Sequence, residues 1–125
     1  MSRNSFVYRD KRHGTASHRR APNMEKDLAK RMGGRLTPGS GNKHVKGDVQ
    51  KAFGVFRIEA KCTKHKSFSV TRAMISKIEE AGGLSGEVGI IIIEFLDERG
   101  KPEMEVAVVP THALPSIAEG NEYGT

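Results

Sequence analysis

The apolar residues of this chain recur at helical spacing in two segments, which predict two amphipathic helices. The first helix is expected to begin after Pro22, with Asn23 as its N-cap, and to end at Gly33. The second is expected to follow the N-cap Ser69 and to end at Gly82. The apolar stripes repeat every three or four residues; they are Met24, Leu28 and Met32 in the first helix and Val70, Met74, Ile78 and Ala81 in the second.

Strands are predicted in the segments between and after these helices. Residues 48–53 and 55–62 are expected to form a hairpin joined at Gly54, because apolar and polar side chains alternate along residues 55–62. Residues 87–96 contain four consecutive isoleucines without alternation, which is typical of a central strand covered on both faces. A last strand is expected at residues 104–109. This order of elements predicts an α/β fold, in which helices pack on a small mixed sheet.

The length and the charge distribution indicate one domain with a basic arm. The chain has 125 residues, with residues 1–22 expected to form a flexible arm, residues 23–110 the folded domain and residues 111–125 a loosely structured tail. The net charge is +6, of which the arm carries +5. This asymmetry favours an arm that binds a polyanion, and an unstructured solubilising tail stays an equal alternative. The arm's candidate contacts to DNA are Arg12, Arg19 and Arg20.

The composition disfavours several other classes of protein. The longest uncharged apolar stretch, residues 88–93, is far shorter than the ~18–20 residues of a membrane span. No signal peptide is visible, since no apolar segment follows the basic N-terminus. The single cysteine, Cys62, fits a reducing compartment, so a cytoplasmic location is expected. The five histidines lack the spacing of zinc ligands.

A candidate site is predicted on the hairpin. Glu59 and Lys61 are two residues apart on one strand, so their side chains leave the same face about 7 Å apart. If the hairpin loop is symmetric, Asp48 lies directly opposite Glu59 on that face. Two carboxylates at that spacing repel each other unless a cation lies between them, and hard oxygen ligands favour Mg²⁺ or Mn²⁺. The alternative is a solvent-facing sheet surface with ordinary charged residues.

Acidic and basic residues are expected around this pair of carboxylates. Glu25 lies at the edge of the first helix's apolar stripe and is positioned to point over the sheet, although an acid in a first helical turn also complements the helix dipole. Residues 35–47 are expected to form a short strand and a glycine-rich loop, which allows close approach to phosphate. The candidate contacts to DNA are Arg35, Lys43, His44 and Lys46 in this segment, and Lys64 and Lys66 after Lys61. The loop also contains Ser40.

These residues resemble a known superfamily of nucleases. Glu25 on a helix, Pro-Gly-Ser-Gly at 38–41, Gly47-Asp48 and Ile-Glu-Ala-Lys at 58–61 on a strand resemble the motifs of the PD-(D/E)XK nucleases. Within that superfamily, the small size and the Ser-Gly loop are most similar to archaeal-type Holliday junction resolvases and their phage-encoded relatives. The resemblance covers roughly residues 23–109, and Gly47 stands where the motif often has proline.

The resemblance implies a restriction-endonuclease-like core, a mixed β-sheet flanked by helices in the order αβββαβ, and Mg²⁺-dependent hydrolysis of phosphodiester bonds. The metal ligands that it implies are Asp48, Glu59, the backbone carbonyl of Ala60 and Glu25. Lys61 would orient or activate the attacking water, and Ser40 would lie near the scissile phosphate. Resolvases of this type act as homodimers on branched DNA.

The expected function is therefore that of a metal-dependent, structure-selective DNA endonuclease similar to a Holliday junction resolvase. One alternative is another nuclease of the same superfamily, which would nick or cut branched or single-stranded DNA. A second alternative is a non-catalytic module that binds nucleic acid. The set of Asp48, Glu59 and Lys61 argues against that module, since a protein that only binds DNA has no need for clustered carboxylates beside phosphate.

Overall fold

The computed structural model of the chain describes residues 15–38 and 47–123. The elements are helix α1 (Ala16–Arg31), strands β1 (Arg35–Leu36), β2 (Val49–Ala52) and β3 (Phe56–Thr63), helix α2 (Arg72–Leu84), strands β4 (Val88–Leu96) and β5 (Pro102–Val108), a 3-10 turn (Thr111–Ala113) and helix α3 (Leu114–Tyr123). The predicted α/β class is confirmed, together with the succession of a helix, three strands, a helix and further strands. None of the helices in these two ranges is long and apolar enough to cross a membrane.

The strands of the described residues form one mixed sheet in the order β1-β2-β3-β4-β5. Neighbouring strands are antiparallel except for β3 and β4, which are parallel. A parallel pair requires a long crossover connection, and α2 supplies it between these two strands. The central pair therefore places α2 across the face of the sheet toward which Glu59 and Lys61 project.

The register of the β2–β3 hairpin agrees with the prediction at the end next to Asp48. Val49 lies opposite Ile58, which is the pairing expected for a symmetric loop. An irregularity between Val49 and Ala52 changes the register toward the turn, where Lys51 and Phe53 have positive φ. Because this irregularity lies on the turn side of Val49, it does not alter the register next to Asp48.

The hydrophobic core lies on both faces of the sheet. Helix α1 covers one face, where Met24 and Leu28 are fully buried against the even-numbered apolar side chains of β3 and β4. Helix α2 covers the other face, where Ile78 and Ala81 pack on Ile91 and Ile93. Consecutive strand residues point to opposite faces, so the unbroken run of isoleucines fills both halves of the core, as predicted.

Close approach of α2 to the sheet depends on two glycines. A Cβ at Gly89 would overlap the backbone of Ile78, and one at Gly82 would lie 2.7 Å from the Glu87 carbonyl oxygen. The prediction that Gly82 ends the helix was wrong, since α2 continues to Leu84. Here glycine permits tight packing of a helix on a strand and does not break the helix.

The start of α1 differs from the prediction. The helix begins at Ala16, so part of the predicted arm is helical and Pro22 lies inside the helix. The N-cap is Thr15, whose side-chain oxygen accepts a hydrogen bond from the His18 N–H at 3.1 Å. A proline within a helix removes one hydrogen bond and usually favours a helix that starts there, which is why the sequence pattern pointed to residue 23.

Tertiary contacts offset the cost of Pro22 and attach the first turns of α1 to the sheet. The guanidinium of Arg20 donates two hydrogen bonds to the carboxylate of Glu94, at 2.6 and 3.1 Å, and Glu94 is 2% exposed. The thiol of Cys62 donates to the Ser17 carbonyl oxygen at 3.3 Å. Charge-assisted bidentate pairs are among the stronger hydrogen bonds in proteins, so α1 is held on the sheet from its first turn.

The start of α2 and the C-terminal segment also differ from the prediction. Helix α2 is capped by Thr71, whose hydroxyl oxygen accepts from the Met74 N–H at 3.2 Å, and not by Ser69. The segment predicted as a loose tail contains the 3-10 turn and helix α3. Pro115 lies in the first turn of α3, where its fixed φ suits a helix and its missing N–H costs nothing.

Candidate active site

Asp48 directly precedes β2, and two hydrogen bonds fix it against β3. Its backbone N–H donates to the Ile58 carbonyl oxygen at 2.7 Å. Its carboxylate Oδ2 accepts from the backbone N–H of Ala60, also at 2.7 Å. The second bond holds the Asp48 carboxylate against β3, near Glu59, as the hairpin register predicted.

Glu59 and Lys61 share the face of β3 that is opposite to α1. The side chain of Glu59 is 23% exposed and that of Lys61 is 40% exposed, and Lys61 Nζ lies 3.2 Å from Glu59 Oε2. Their β3 neighbours on the other face pack in the core under α1. The predicted division of this strand into an apolar face and a charged face is therefore confirmed.

Glu25 joins the two hairpin carboxylates from helix α1. Its pKa is raised to about 7, first by partial burial and then by the negative charges of Asp48 and Glu59, while Lys61 acts in the opposite direction. Electrostatic effects of this kind require proximity. The carboxylates of Asp48, just before β2, and Glu59, on β3, thus lie near enough to Glu25 on α1 for their charges to oppose its ionisation.

The pKa of Asp48 is also raised. Burial is the largest cause and the charge of Glu59 is the next. The Ala60 N–H and the positive charges of Lys61 and Lys77 lower it, but they offset these effects only in part. Burial and the charge of Glu59 together thus disfavour the ionised Asp48 carboxylate, and a bound divalent cation would relieve this penalty.

Substitution of Glu25 by Gln is expected to make stability less dependent on pH. A carboxyl whose pKa rises from 4.5 to about 7 on folding binds its proton more tightly in the native state, so the free energy of unfolding falls as the pH rises through this interval. Without divalent ions at pH 8, Glu25→Gln should exceed the wild type by about 1 kcal/mol, since the half-buried group is partly screened by solvent.

Urea unfolding in EDTA at pH 4 and pH 8 checks this expectation. The advantage of Glu25→Gln should be present at pH 8 and nearly absent at pH 4, where Glu25 is mostly protonated in both the native and the unfolded states. Addition of Mg²⁺ at pH 8 should reduce the advantage, because a cation stabilises the wild-type carboxylates. An advantage of equal size at both pH values would show that Glu25 does not bear this electrostatic penalty.

The turn that carries Asp48 rests on a buried ion pair. Arg57 Nη2 lies 2.7 Å from Glu87 Oε1, and both side chains are at most 7% exposed. Arg57 also donates to the Ser85 hydroxyl at 2.9 Å. The aliphatic part of the Arg57 side chain packs under Gly47, which has a φ of +83°. The ion pair thus fixes the arginine side chain against which the backbone next to Asp48 packs.

Gly47→Ala is expected to displace Asp48 as well as to destabilise the protein. A Cβ at this position would lie 2.9 Å from both Arg57 Cδ and Ile78 Cδ1, in a backbone conformation that itself costs about 1–2 kcal/mol for a residue other than glycine. The matched control is Gly54→Ala, because Gly54 has a φ of +78° and open space where its Cβ would lie.

Both glycine variants should lose stability in urea unfolding, and Gly47→Ala should lose more, since only there does the new methyl group meet other side chains. Only Gly47→Ala should also lower the affinity for Mg²⁺ measured by calorimetry, because only this turn positions Asp48. Equal Mg²⁺ affinities for the two variants would show that the Gly47 turn does not position the site.

The ends of the predicted phosphate-binding loop meet beside Asp48. Thr37 Oγ1 donates to the Gly47 carbonyl oxygen at 2.8 Å, and the Thr37 N–H donates to the Asp48 carbonyl oxygen at 3.1 Å. Three predicted DNA contacts in the loop, one in the arm and the predicted catalytic residue of the loop lie outside the described residues; they are Lys43, His44, Lys46, Arg12 and Ser40. The loop therefore starts and ends at the site.

The other predicted DNA contacts differ in their surroundings. Arg35 on β1 and Arg19 on α1 are exposed, as are Lys64 and Lys66 beyond the end of β3. The two lysines line an open groove of about 740 Å³, which also contains acidic residues of the β4–β5 turn. Arg20, by contrast, pairs with the buried Glu94. We therefore leave Arg20 out of the proposed DNA-binding surface and assign it a structural role.

The donor set fits a hard divalent cation bound by few protein ligands. Within residues 15–38 and 47–123, no three Asp, Glu, His or Cys side chains converge closely enough to form a complete metal-binding group. Mg²⁺ does not require such a cage, because it commonly retains several waters and is held by one or two carboxylates and a substrate phosphate. Asp48 and Glu59 provide such a pair of carboxylates.

Comparisons with protein-family models, with curated proteins and with solved structures found no match to this chain. The resemblance to PD-(D/E)XK nucleases therefore stays a prediction from the sequence.

The sequence motifs did not predict the residues that support the site from outside the hairpin. Lys77 acts on Asp48 from α2, and Glu87 anchors Arg57 from the start of β4. No local spacing marks either residue, because each reaches the site through tertiary packing. The parallel pairing of β3 with β4 places α2 over the charged face of β3, and the sequence pattern did not predict that pairing.

Proposed function

We propose that this protein is a metal-dependent endonuclease that hydrolyses phosphodiester bonds in DNA. The observations that carry the proposal are the placement of Asp48 and Glu59 beside Lys61 and the nearness of Glu25, whose pKa the two hairpin carboxylates raise. Carboxylates that oppose one another's ionisation make folding less favourable. Residues whose pKa values are shifted in this way are concentrated at functional sites. A divalent cation would balance the negative charges of this cluster and would in turn attract a DNA phosphate.

Mg²⁺ or Mn²⁺ would be held by Asp48 and Glu59, with Glu25 at the margin and the Ala60 carbonyl as a further predicted ligand. When bound, the ion would supply Lewis-acid polarisation of the phosphate and a lowered pKa for water. In the absence of a cation, a pKa of about 7 leaves Glu25 about half protonated at neutral pH. Cation binding would therefore release a proton from this carboxyl group.

Lys61 would act on the phosphate directly. Its ammonium group is held 3.2 Å from Glu59, so it is oriented before DNA binds. A fixed positive charge at this position stabilises the additional negative charge that phosphate acquires in the transition state.

The substrate that best fits the family resemblance is branched DNA, and the active form would be a homodimer that makes paired incisions. The described order of α1, three strands, α2 and β4 is compatible with a restriction-endonuclease-like core. Exposed basic residues at both ends of the hairpin would bind the phosphates that flank the cut. The reaction would take place in the cytoplasm of a bacterium or a phage-infected cell.

A panel of labelled substrates tests the substrate assignment. The purified protein is incubated with a four-way junction, a flap, a nicked duplex, a linear duplex and single-stranded DNA, in Mg²⁺ and in EDTA. Symmetric, metal-dependent cuts confined to the junction are the expected result. Metal-dependent cutting of the other substrates would keep the nuclease and reject the resolvase. Tight binding without cleavage in either Mg²⁺ or Mn²⁺ would favour a non-catalytic module.

A further inference from the structure

Helix α2 carries a lysine that no sequence motif assigns to the site. We propose that Lys77 is a further phosphate-binding residue, which contacts the DNA backbone from the helix side while Lys61 contacts it from the strand. This inference rests on the proposed nuclease function and adds a residue to the surface that recognises the substrate.

The packing of α2 places Lys77 next to the Asp48 turn. Its neighbour Ile78 is 2% exposed, and the Ile78 Cδ1 atom lies 2.9 Å from the position that a Gly47 Cβ would occupy. The helical turn that contains Lys77 therefore lies against the residue that precedes Asp48. The side chain of Glu59 projects toward the same helix, so Lys77 and Lys61 lie on one side of the sheet.

The surroundings of Lys77 indicate no structural role for its charge. It is exposed, and it forms no ion pair within the part of the chain that the structure describes. Its positive charge nevertheless reaches Asp48, where it favours the ionised carboxylate. A flexible, hydrated ammonium with three donors is suited to bind phosphate as a point charge.

A role in phosphate binding and a role in metal binding predict opposite effects of removing this charge. Lys77 repels a cation at Asp48, so its loss should leave the affinity for Mg²⁺ unchanged or increase it. The same loss should weaken DNA binding, because one contact to phosphate disappears. Lys77→Met keeps the length and apolar character of the side chain, and Lys77→Arg keeps the charge.

The test compares Lys77→Met and Lys77→Arg with Lys30→Met, which alters an exposed lysine on α1, the helix on the other face of the sheet. Binding of fluorescent duplex DNA is measured by anisotropy in EDTA over a series of salt concentrations. Lys77→Met should bind more weakly, and the slope of log K against log salt should become shallower by about 0.9. Lys77→Arg and Lys30→Met should retain the wild-type slope. Calorimetry should find no loss of Mg²⁺ affinity in Lys77→Met.

Each outcome bears on a different claim. If the wild type binds and cuts DNA while Lys77→Met keeps its salt slope, the role of Lys77 is overturned and the nuclease stands. If Lys77→Arg is as impaired as Lys77→Met, the effect is not one of charge and the role is also overturned. If the wild type neither binds nor cuts DNA, the proposed function fails and the role of Lys77 fails with it.

Discussion

Asp48→Asn, Glu59→Gln and Lys61→Ala are each expected to abolish DNA cleavage while the protein stays folded and keeps much of its DNA binding. The first two variants remove a charged oxygen ligand, and the third removes the cation that stabilises the phosphate. Loss of one group that stabilises transition-state charge typically lowers a rate by about 10²–10³-fold. These side chains lie outside the two hydrophobic clusters of the core, so the folds of the variants should be intact.

Mg²⁺ binding separates the roles of the three residues. Calorimetric titration should find weaker binding in Asp48→Asn and Glu59→Gln, since each loses a ligand. Lys61→Ala should bind Mg²⁺ at least as well as the wild type, because it loses a repelling charge. Glu103→Gln, at an exposed position on β5, is the control for the removal of a carboxylate elsewhere. Wild-type cleavage by purified Lys61→Ala would reject the assignment of the site.

Arg57→Met is expected to be the most destabilising of the substitutions proposed for this protein. It leaves the Glu87 carboxylate, whose side chain is fully buried, without its cationic partner. Breaking a buried ion pair from one side commonly costs about 3–5 kcal/mol. The pKa of Glu87 lies below its usual range, with hydrogen bonds from Ser85, the Lys51 N–H and Arg57 outweighing the effect of burial. Loss of Arg57 removes one of these contributions.

The double variant Arg57→Met/Glu87→Met tests whether the unpaired charge is the cause. Replacement of both members of a buried ion pair by apolar groups is often nearly neutral, so the double variant should be more stable than Arg57→Met in urea unfolding. Its Mg²⁺ affinity should nevertheless fall, because Gly47 and Asp48 lose the support of the arginine. A double variant no more stable than the single one would show that Arg57 acts through packing and not through Glu87.

The hairpin is the part of the site that the sequence predicted best. Alternation along residues 55–62 identified which side chains of β3 face the core, and loop symmetry predicted the pairing of Val49 with Ile58. Both inferences depend on local geometry, because the side-chain period of a strand is fixed and a short loop limits the possible registers. The meeting of Asp48 and Glu59 follows from these two local facts.

Features that depend on distant contacts could not be predicted in this way. The start of α1 was placed after Pro22, because proline is unfavourable within an isolated helix. The contact between Arg20 and Glu94, 74 residues apart, stabilises the helical turn that precedes Pro22. Likewise, the supporting pair of Arg57 and Glu87 joins residues 30 apart in the chain. Helix α3 was overlooked because its short, weakly apolar sequence shows little helical periodicity.

Metal-dependent cleavage of one labelled four-way junction by the wild type and by Asp48→Asn is the most direct test of the proposed nuclease site. The wild type is expected to cut the junction in Mg²⁺ and not in EDTA. Asp48→Asn is expected to bind the junction in Mg²⁺ without cutting it. Cleavage that persists in EDTA, or an Asp48→Asn protein that cuts as fast as the wild type, would contradict the assignment of a metal-dependent nuclease site to Glu25, Asp48, Glu59 and Lys61.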